Sequence, residues 1–288
     1  MKVTVGGVPE HFNLAWRIAI EQNRFAHHNI EIKWKDIPGG TGSMCKQLRN
    51  NELDIAIALT EGVIADITDG NPSKIVQFYV NSPLRWGIYV SANSSIQNVS
   101  QMINQKYAIS RFKSGSHLMA YVNAKQHGFQ LSKADFVVVQ NIDGARNALK
   151  TNKAQLFMWE KFTTKPYVDS GEFKQIGECG TPWPCFVIAA TDKFISEQPE
   201  ALQHILNEIN LSCMLLKNNR DAPALISQRY GIRLADAKQW FSELEYAYLP
   251  QIEELQMTEI LEKMKGFGII EKTPELKSIC YANNLVLV

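Results

Sequence analysis

Two acidic residues stand at the same kind of place in the chain. Thr60-Glu61 follows the apolar run at 54–59, and Trp159-Glu160 follows the one at 155–158, each just before a helical pattern. Carboxylates at strand ends can do general acid–base work, recognise a cation or accept from ligand N–H groups. Each could equally cap its own helix. Pro38-Gly39-Gly40-Thr41-Gly42-Ser43 joins a strand to a helix, and its glycines let backbone N–H groups approach an anion or a polar edge. The alternative is a tight turn with Ser43 as helix cap. It is no dinucleotide fingerprint, since the third glycine would fall on Cys45, and it lacks the Gly-Lys-Ser/Thr of a phosphate loop.

A second strand-to-helix loop, Ser110-Arg111-Phe112-Lys113-Ser114-Gly115-Ser116-His117, offers hydroxyls, a guanidinium and a helix N-terminus. Ser116 and His117 are adjacent, so on a helix they point apart, and no orienting carboxylate or nucleophile elbow accompanies them. No catalytic residue is therefore assigned. Phe12, Trp86, Trp159 and Trp183 could wall a flat ligand or belong to the core. His27 and His28 are adjacent, and His11, His117, His127 and His204 fall at no metal-ligand spacing, so neither metal nor cofactor is expected.

The elements that must position these groups alternate. Strand and helix patterns follow one another through 2–6, 12–23, 30–37, 43–50, 54–59 and 61–69, a parallel-sheet unit. After apolar runs at 75–80 and 86–90 the pattern restarts and continues to about 169, with strands at 172–177 and 186–190 leading out; beyond 197 everything reads as helix. The expected architecture is α/β, with two lobes: 1–84 and 187–288 forming one, with a C-terminal helical tail, and 85–186 inserted as the other. Two interlobe crossovers imply a cleft, and in open α/β sheets ligands sit at the carboxyl ends of the strands.

Thirty basic residues face 29 acidic ones in a chain of 288, with no basic stripe, so nucleic acid is not an expected partner. Apolar stretches fall short of the roughly 18 residues a membrane span needs. Met1 stands directly before the first strand pattern with no apolar leader, so a cytoplasmic location is expected, or a periplasmic or extracellular one if a leader has been removed. Five scattered cysteines read as reduced, buried thiols rather than a disulfide framework.

The motifs at 7–13, 38–42, 61–62, 82–88, 114–117 and 157–166 resemble the Ca3427-like branch of type II periplasmic-binding-protein-like proteins, related to the substrate-binding components of ABC importers for sulfonates, nitrate and thiamine-pyrimidine precursors. The resemblance covers about residues 1–195. It implies capture of a small polar molecule, pyrimidine-like or an organic acid, by hinge closure, with an ABC importer permease as a partner. On that reading Gly40, Thr41 and Gly42 supply backbone donors, Ser114, Ser116 and His117 meet the opposite edge, and Glu61 and Glu160 accept from ligand N–H groups. Phe12, Trp86, Trp159 and Trp183 supply aromatic contacts, and Arg111 would argue for an anion. The alternative is an enzyme of thiamine-pyrimidine-type metabolism on the same scaffold, with Glu61, His117 and Glu160 as acid–base groups; a ligand-dependent cytoplasmic sensor is a third possibility.

Overall fold

The computed structural model describes residues 1–287, which form two compact units. Unit 1 is Met1–Ser82 together with the chain from Trp183 onward; unit 2 is Pro83–Pro182. The chain rejoins unit 1 a few residues earlier than the apolar pattern at 186–190 indicates. Trp183 donates its indole N–H to Glu61, and the Pro184 and Cys185 carbonyls accept from the Thr60 hydroxyl and amide, so the return begins before the strand does.

Unit 1 opens with β1 (Lys2–Gly7), a 3₁₀ turn at His11–Asn13 and α1 (Leu14–Glu21). It continues through β2 (Glu31–Asp36), α2 (Gly40–Arg49), β3 (Ile55–Leu59), α3 (Thr60–Thr68) and β4 (Ser73–Val80). The first helix is thus split where one run over 12–23 is expected. Unit 2 holds β5 (Arg85–Ser91), β6 (Tyr107–Ile109), α4 (Gly115–Gln126), β7 (Phe136–Val138), α5 (Ile142–Lys150), β8 (Leu156–Glu160), α6 (Lys161–Asp169) and β9 (Phe173–Gly180). The chain returns through β10 (Phe186–Thr191), α7 (Asp192–Glu197), α8 (Pro199–Lys217), α9 (Ala222–Tyr230) and α10 (Leu234–Glu243). It ends with β11 (Ile252–Glu253), α11 (Glu254–Gly266), α12 (Leu276–Ile279) and β12 (Leu285–Val286).

Both sheets are mixed rather than purely parallel. Unit 1 has the order β2-β1-β3-β10-β4, with β10 antiparallel to both neighbours. Unit 2 has the order β7-β6-β8-β5-β9, with β5 antiparallel to both of its neighbours. Strand direction leaves no mark on a continuous apolar run: Ile55–Leu59 and Phe186–Thr191 are alike in being apolar and almost wholly buried. The C-terminal part is not all helix either, since β11 and β12 pair in parallel.

Unit 1 buries α8 along a stripe of Leu202, Ile205, Leu206, Ile209, Cys213 and Leu216, the helical spacing of a core-facing side. Pro199 stands at its first position, where a missing N–H costs nothing. Ser212 donates to the Ala15 carbonyl of α1 at 2.9 Å, and Asn210 and Gln77 exchange two buried hydrogen bonds at 2.9 and 3.0 Å. Unit 2 packs Tyr89, Ala108, Ala145, Leu149, Phe157 and Phe173 into its own core. All five cysteines are buried and none is in a disulfide, and no helix among the described residues is long and apolar enough to cross a membrane.

Candidate functional site

In unit 1 the register places Phe186 opposite both Leu59 and Val80, so β10 starts where β3 and β4 end. The carboxyl edge of this sheet therefore gathers the turn after β1, the starts of α2 and α3, and the segment entering β10. Phe12, Thr41, Glu61 and Trp183 come from these four places.

Glu61 lies in the first turn of α3 and is fully buried. Its Oε2 accepts from Trp183 Nε1 at 2.9 Å, while Oε1 has no hydrogen-bond partner. Burial pushes the carboxyl up to about 7, against the opposing pull of its own backbone N–H and of the Trp183 indole. The carboxylate thus does not cap its helix through a neighbouring turn. It is held from 122 residues away.

The glycine segment is wound further into helix than a tight turn would be. The helix α2 begins at Gly40, with Gly39 as its N-cap, so Thr41, Gly42 and Ser43 lie in the first turn and Ser43 is not the cap. Gly40 has φ of +67° with open space where a side chain would go, a conformation that glycine adopts freely. Thr41 is bound to the sheet end: its Oγ1 accepts from the Leu59 amide at 3.1 Å. Its methyl sits where Gly62 would carry a Cβ, at 2.5 Å. Gly62→Ala is expected to cost about 1–3 kcal/mol in urea unfolding, and Thr41→Ser added to it to restore most of that loss, because Ser keeps the oxygen and drops the methyl. Equal stability of the single and double variants would sink this account.

Phe12 is buried, with ring centroids 4.9 Å from Phe186 and 5.1 Å from Trp240, and its carbonyl accepts from Tyr79 at 2.8 Å and from Tyr246 at 3.3 Å. Its neighbour His11 is also buried, stacked on Phe12 at 4.8 Å and set edge-on to Trp240 at 4.3 Å, with Nε2 lacking a partner. Burial brings this imidazole down to about 3, so it is neutral across the physiological range. Trp183 packs near Phe267, their centroids 6.1 Å apart. His11, Trp240, Tyr246 and Phe267 are the surroundings that sequence reasoning missed. Three of them lie in the segment read as a helical tail, and no local pattern marks them as neighbours of the 3₁₀ turn or of Trp183.

Unit 2 repeats the arrangement. Trp86 lies opposite Glu160, and Arg85 opposite Gly180, so β5 starts where β8 and β9 end. Glu160 is buried and caps α6, its Oε2 accepting from the Thr163 amide at 2.6 Å. Burial raises this carboxyl, opposed by the amides of Thr163 and Phe162 and by Lys161. Trp86 is buried with Nε1 unpartnered; Trp159 is half-buried, stacked on Phe157 at 5.4 Å and edge-on to Trp86 at 6.4 Å.

On the loop after β6, Arg111 is half-buried. The serines serve the turn: Ser114 caps α4, its Oγ 3.1 Å from that of Ser116, whose oxygen accepts from the Ser110 amide at 3.0 Å. His117 Nδ1 accepts from the Lys113 amide at 3.0 Å, which puts the proton of the neutral ring on Nε2. That nitrogen is buried without a partner, the ring packs on Phe136 at 4.6 Å, and burial lowers its pKa to about 4. No serine–histidine hydrogen bond is made between Ser116 and His117, so a nucleophile–base pair is not assembled.

Two five-stranded sheets, each with one reversed strand, and an inserted unit define the periplasmic-binding-protein fold. The Candida albicans CA3427 gene product, whose structure defines a family with the generic periplasmic binding protein fold, shares 27% identity over 99% of this chain and 96% of its own, with a TM-score of 0.90. The family model for the Ca3427-like periplasmic binding proteins matches residues 86–179, and the resemblance read from the motifs holds. The alkanesulfonate-binding protein SsuA from Xanthomonas axonopodis pv. citri, bound to MOPS, shares the fold at 12% identity, a TM-score of 0.77 and coverage of 100% and 98%. The ligand-binding component of an ABC-type import system from Staphylococcus aureus, with zinc bound, does so at 13%, 0.76, 98% and 97%. No curated protein sequence matches the chain.

Proposed function

We propose that this chain is a binding protein for a small polar molecule, held by the strand-end loops of its two units. The observation that carries the reading is the hydrogen-bonding capacity left at both carboxyl edges. Glu61 Oε1 in unit 1, and Trp86 Nε1 and His117 Nε2 in unit 2, are buried polar atoms with no protein partner. Most buried polar groups are hydrogen-bonded, so such atoms point to a further partner. The fold shared with the sulfonate-binding and import-system proteins supports the same reading. Closure about the crossovers at Ser82–Pro83 and Pro182–Trp183, and delivery to an ABC importer permease, extend it.

A thermal-shift panel of pyrimidines, thiamine precursors, sulfonates and small carboxylates tests the proposal. A ligand at ~100 times its dissociation constant adds about 2.7 kcal/mol to the native state, a rise of several degrees. One chemical class is expected to give a concentration-dependent rise that Glu61→Ala and Trp86→Phe diminish; a flat response across the panel would count against the reading. A second reading, turnover on the same scaffold, rests on Glu61 standing near neutrality, where an acid–base group is most effective. Consumption of the bound compound by the wild type, lost in Glu61→Gln, would favour the enzyme.

A further inference from the structure

The helix α8 is apolar on two sides. Its core stripe is buried, yet Leu211, Met214 and Leu215, three and four residues apart, stand 40, 44 and 47% exposed. One apolar stripe is enough to seat a helix on a core, so the second is left over from folding. Beside it, between α1, α8 and α9, runs a groove of about 750 Å³ that lies wholly within unit 1. Leu14, Ile18, Leu215, Leu216 and Leu225 give it an apolar lining, and its volume is that of a small-molecule site. Phe12, Thr41, Glu61 and Trp183 do not line it, so it is distinct from the cluster at the carboxyl edge of the sheet.

The charges around the groove are unequal. Arg229 is neutralised by Glu21, whose two oxygens accept from its guanidinium at 3.1 and 2.5 Å. Arg24 is half-buried and has no acidic partner among the described residues: its Nε donates to the neutral Gln22 at 2.9 Å, which leaves the Nη groups to hold a carboxylate. A neutral apolar molecule would leave this cation unanswered, and a small polar anion would leave the leucines in water. We propose that the groove is a second binding site, for a single-chain anionic amphiphile, a medium-chain carboxylate whose alkyl chain lies along Ile18, Leu215 and Leu225 and whose head group meets Arg24.

The test is calorimetric titration of the full chain with free octanoate, decanoate and dodecanoate, kept below the concentrations at which they self-associate, and with decanol. Binding is expected to tighten about tenfold for each two methylenes added. Arg24→Gln is expected to weaken decanoate about tenfold and to leave decanol unchanged, because only the charged head uses the guanidinium. Leu215→Asn is expected to weaken both compounds; the side chain is nearly half exposed, so the fold should tolerate the change, and circular dichroism checks it. Failure of decanoate to bind, or equal binding by wild type and both variants, would overturn the proposal. So would binding to phosphatidylglycerol vesicles without binding to the free carboxylates, which would make the face a membrane contact. A wild-type dimer in sedimentation that Leu215→Asn dissociates, with no response to decanoate, would overturn it in favour of a contact between two copies of the chain.

Discussion

Replacing Glu61 with Gln is expected to stabilise the unliganded protein at pH 8 and to leave it near the wild-type value at pH 5. The carboxyl has an ordinary value of 4.5 and stands at about 7 in the folded chain. Between those two values the folded protein keeps a proton that the unfolded chain has released, so stability falls as pH rises through the interval and is flat above it. A shift of this size corresponds to about 3 kcal/mol at pH 8. Gln is close to an isostere of the protonated acid and does not titrate, so it escapes the loss. Calorimetric melting of both chains at pH 5 and 8 measures it. An identical pH dependence in the two would show that Glu61 is not the group responsible. Gain of stability together with loss of ligand response would mark Glu61 as a group retained for binding at a cost to the fold.

His11 is expected to act in the opposite sense and on the acid side. Its imidazole falls from an ordinary value of 6.5 to about 3 on folding because it is buried among aromatic rings. Below 6.5 the unfolded chain takes up a proton that the folded chain refuses, so the stability present above that pH drains away as pH falls toward 3. The loss amounts to about 2 kcal/mol at pH 5 and about 5 kcal/mol at the bottom of the range. His11→Phe removes the titration, and its melting temperature relative to wild type is expected to improve steadily from pH 7 to pH 4, whatever packing change it brings at neutral pH. A constant offset between the two chains would show that His11 is not the acid-sensitive group. Between about 4.5 and 6.5 the Glu61 and His11 effects oppose each other, so each single variant exposes the slope the other contributes.

Much of this arrangement was legible in the residues. Alternating apolar runs located almost every strand, and the restart after residue 90 marked the second unit. The direction of β5 and β10 was not legible, because fully buried strands share one composition whichever way they run. Nor could the two glutamates be told apart. Glu160 meets its partner, the Thr163 amide, three residues on, within the reach of helix-capping rules, whereas the group that holds Glu61 is an indole in another segment. His11 falls within the motif at 7–13 and at no metal-ligand spacing, but its burial depends on Trp240, more than two hundred residues later.

The interruption of unit 1 constrains the order in which the molecule can be built. The strand β10 fills the place between β3 and β4, yet about a hundred residues of unit 2 separate it from them in the chain. Closing a flexible loop of that length costs about 4 kcal/mol in chain entropy. Leu84 and Thr181 at the two ends of unit 2 bind each other, amide to hydroxyl at 2.9 Å and amide to carbonyl at 3.0 Å, so a unit 2 that is already folded shortens the loop to a few residues and removes most of this cost. During synthesis the apolar edges of β3 and β4 must therefore wait, open and prone to aggregate, until the whole insertion has left the ribosome.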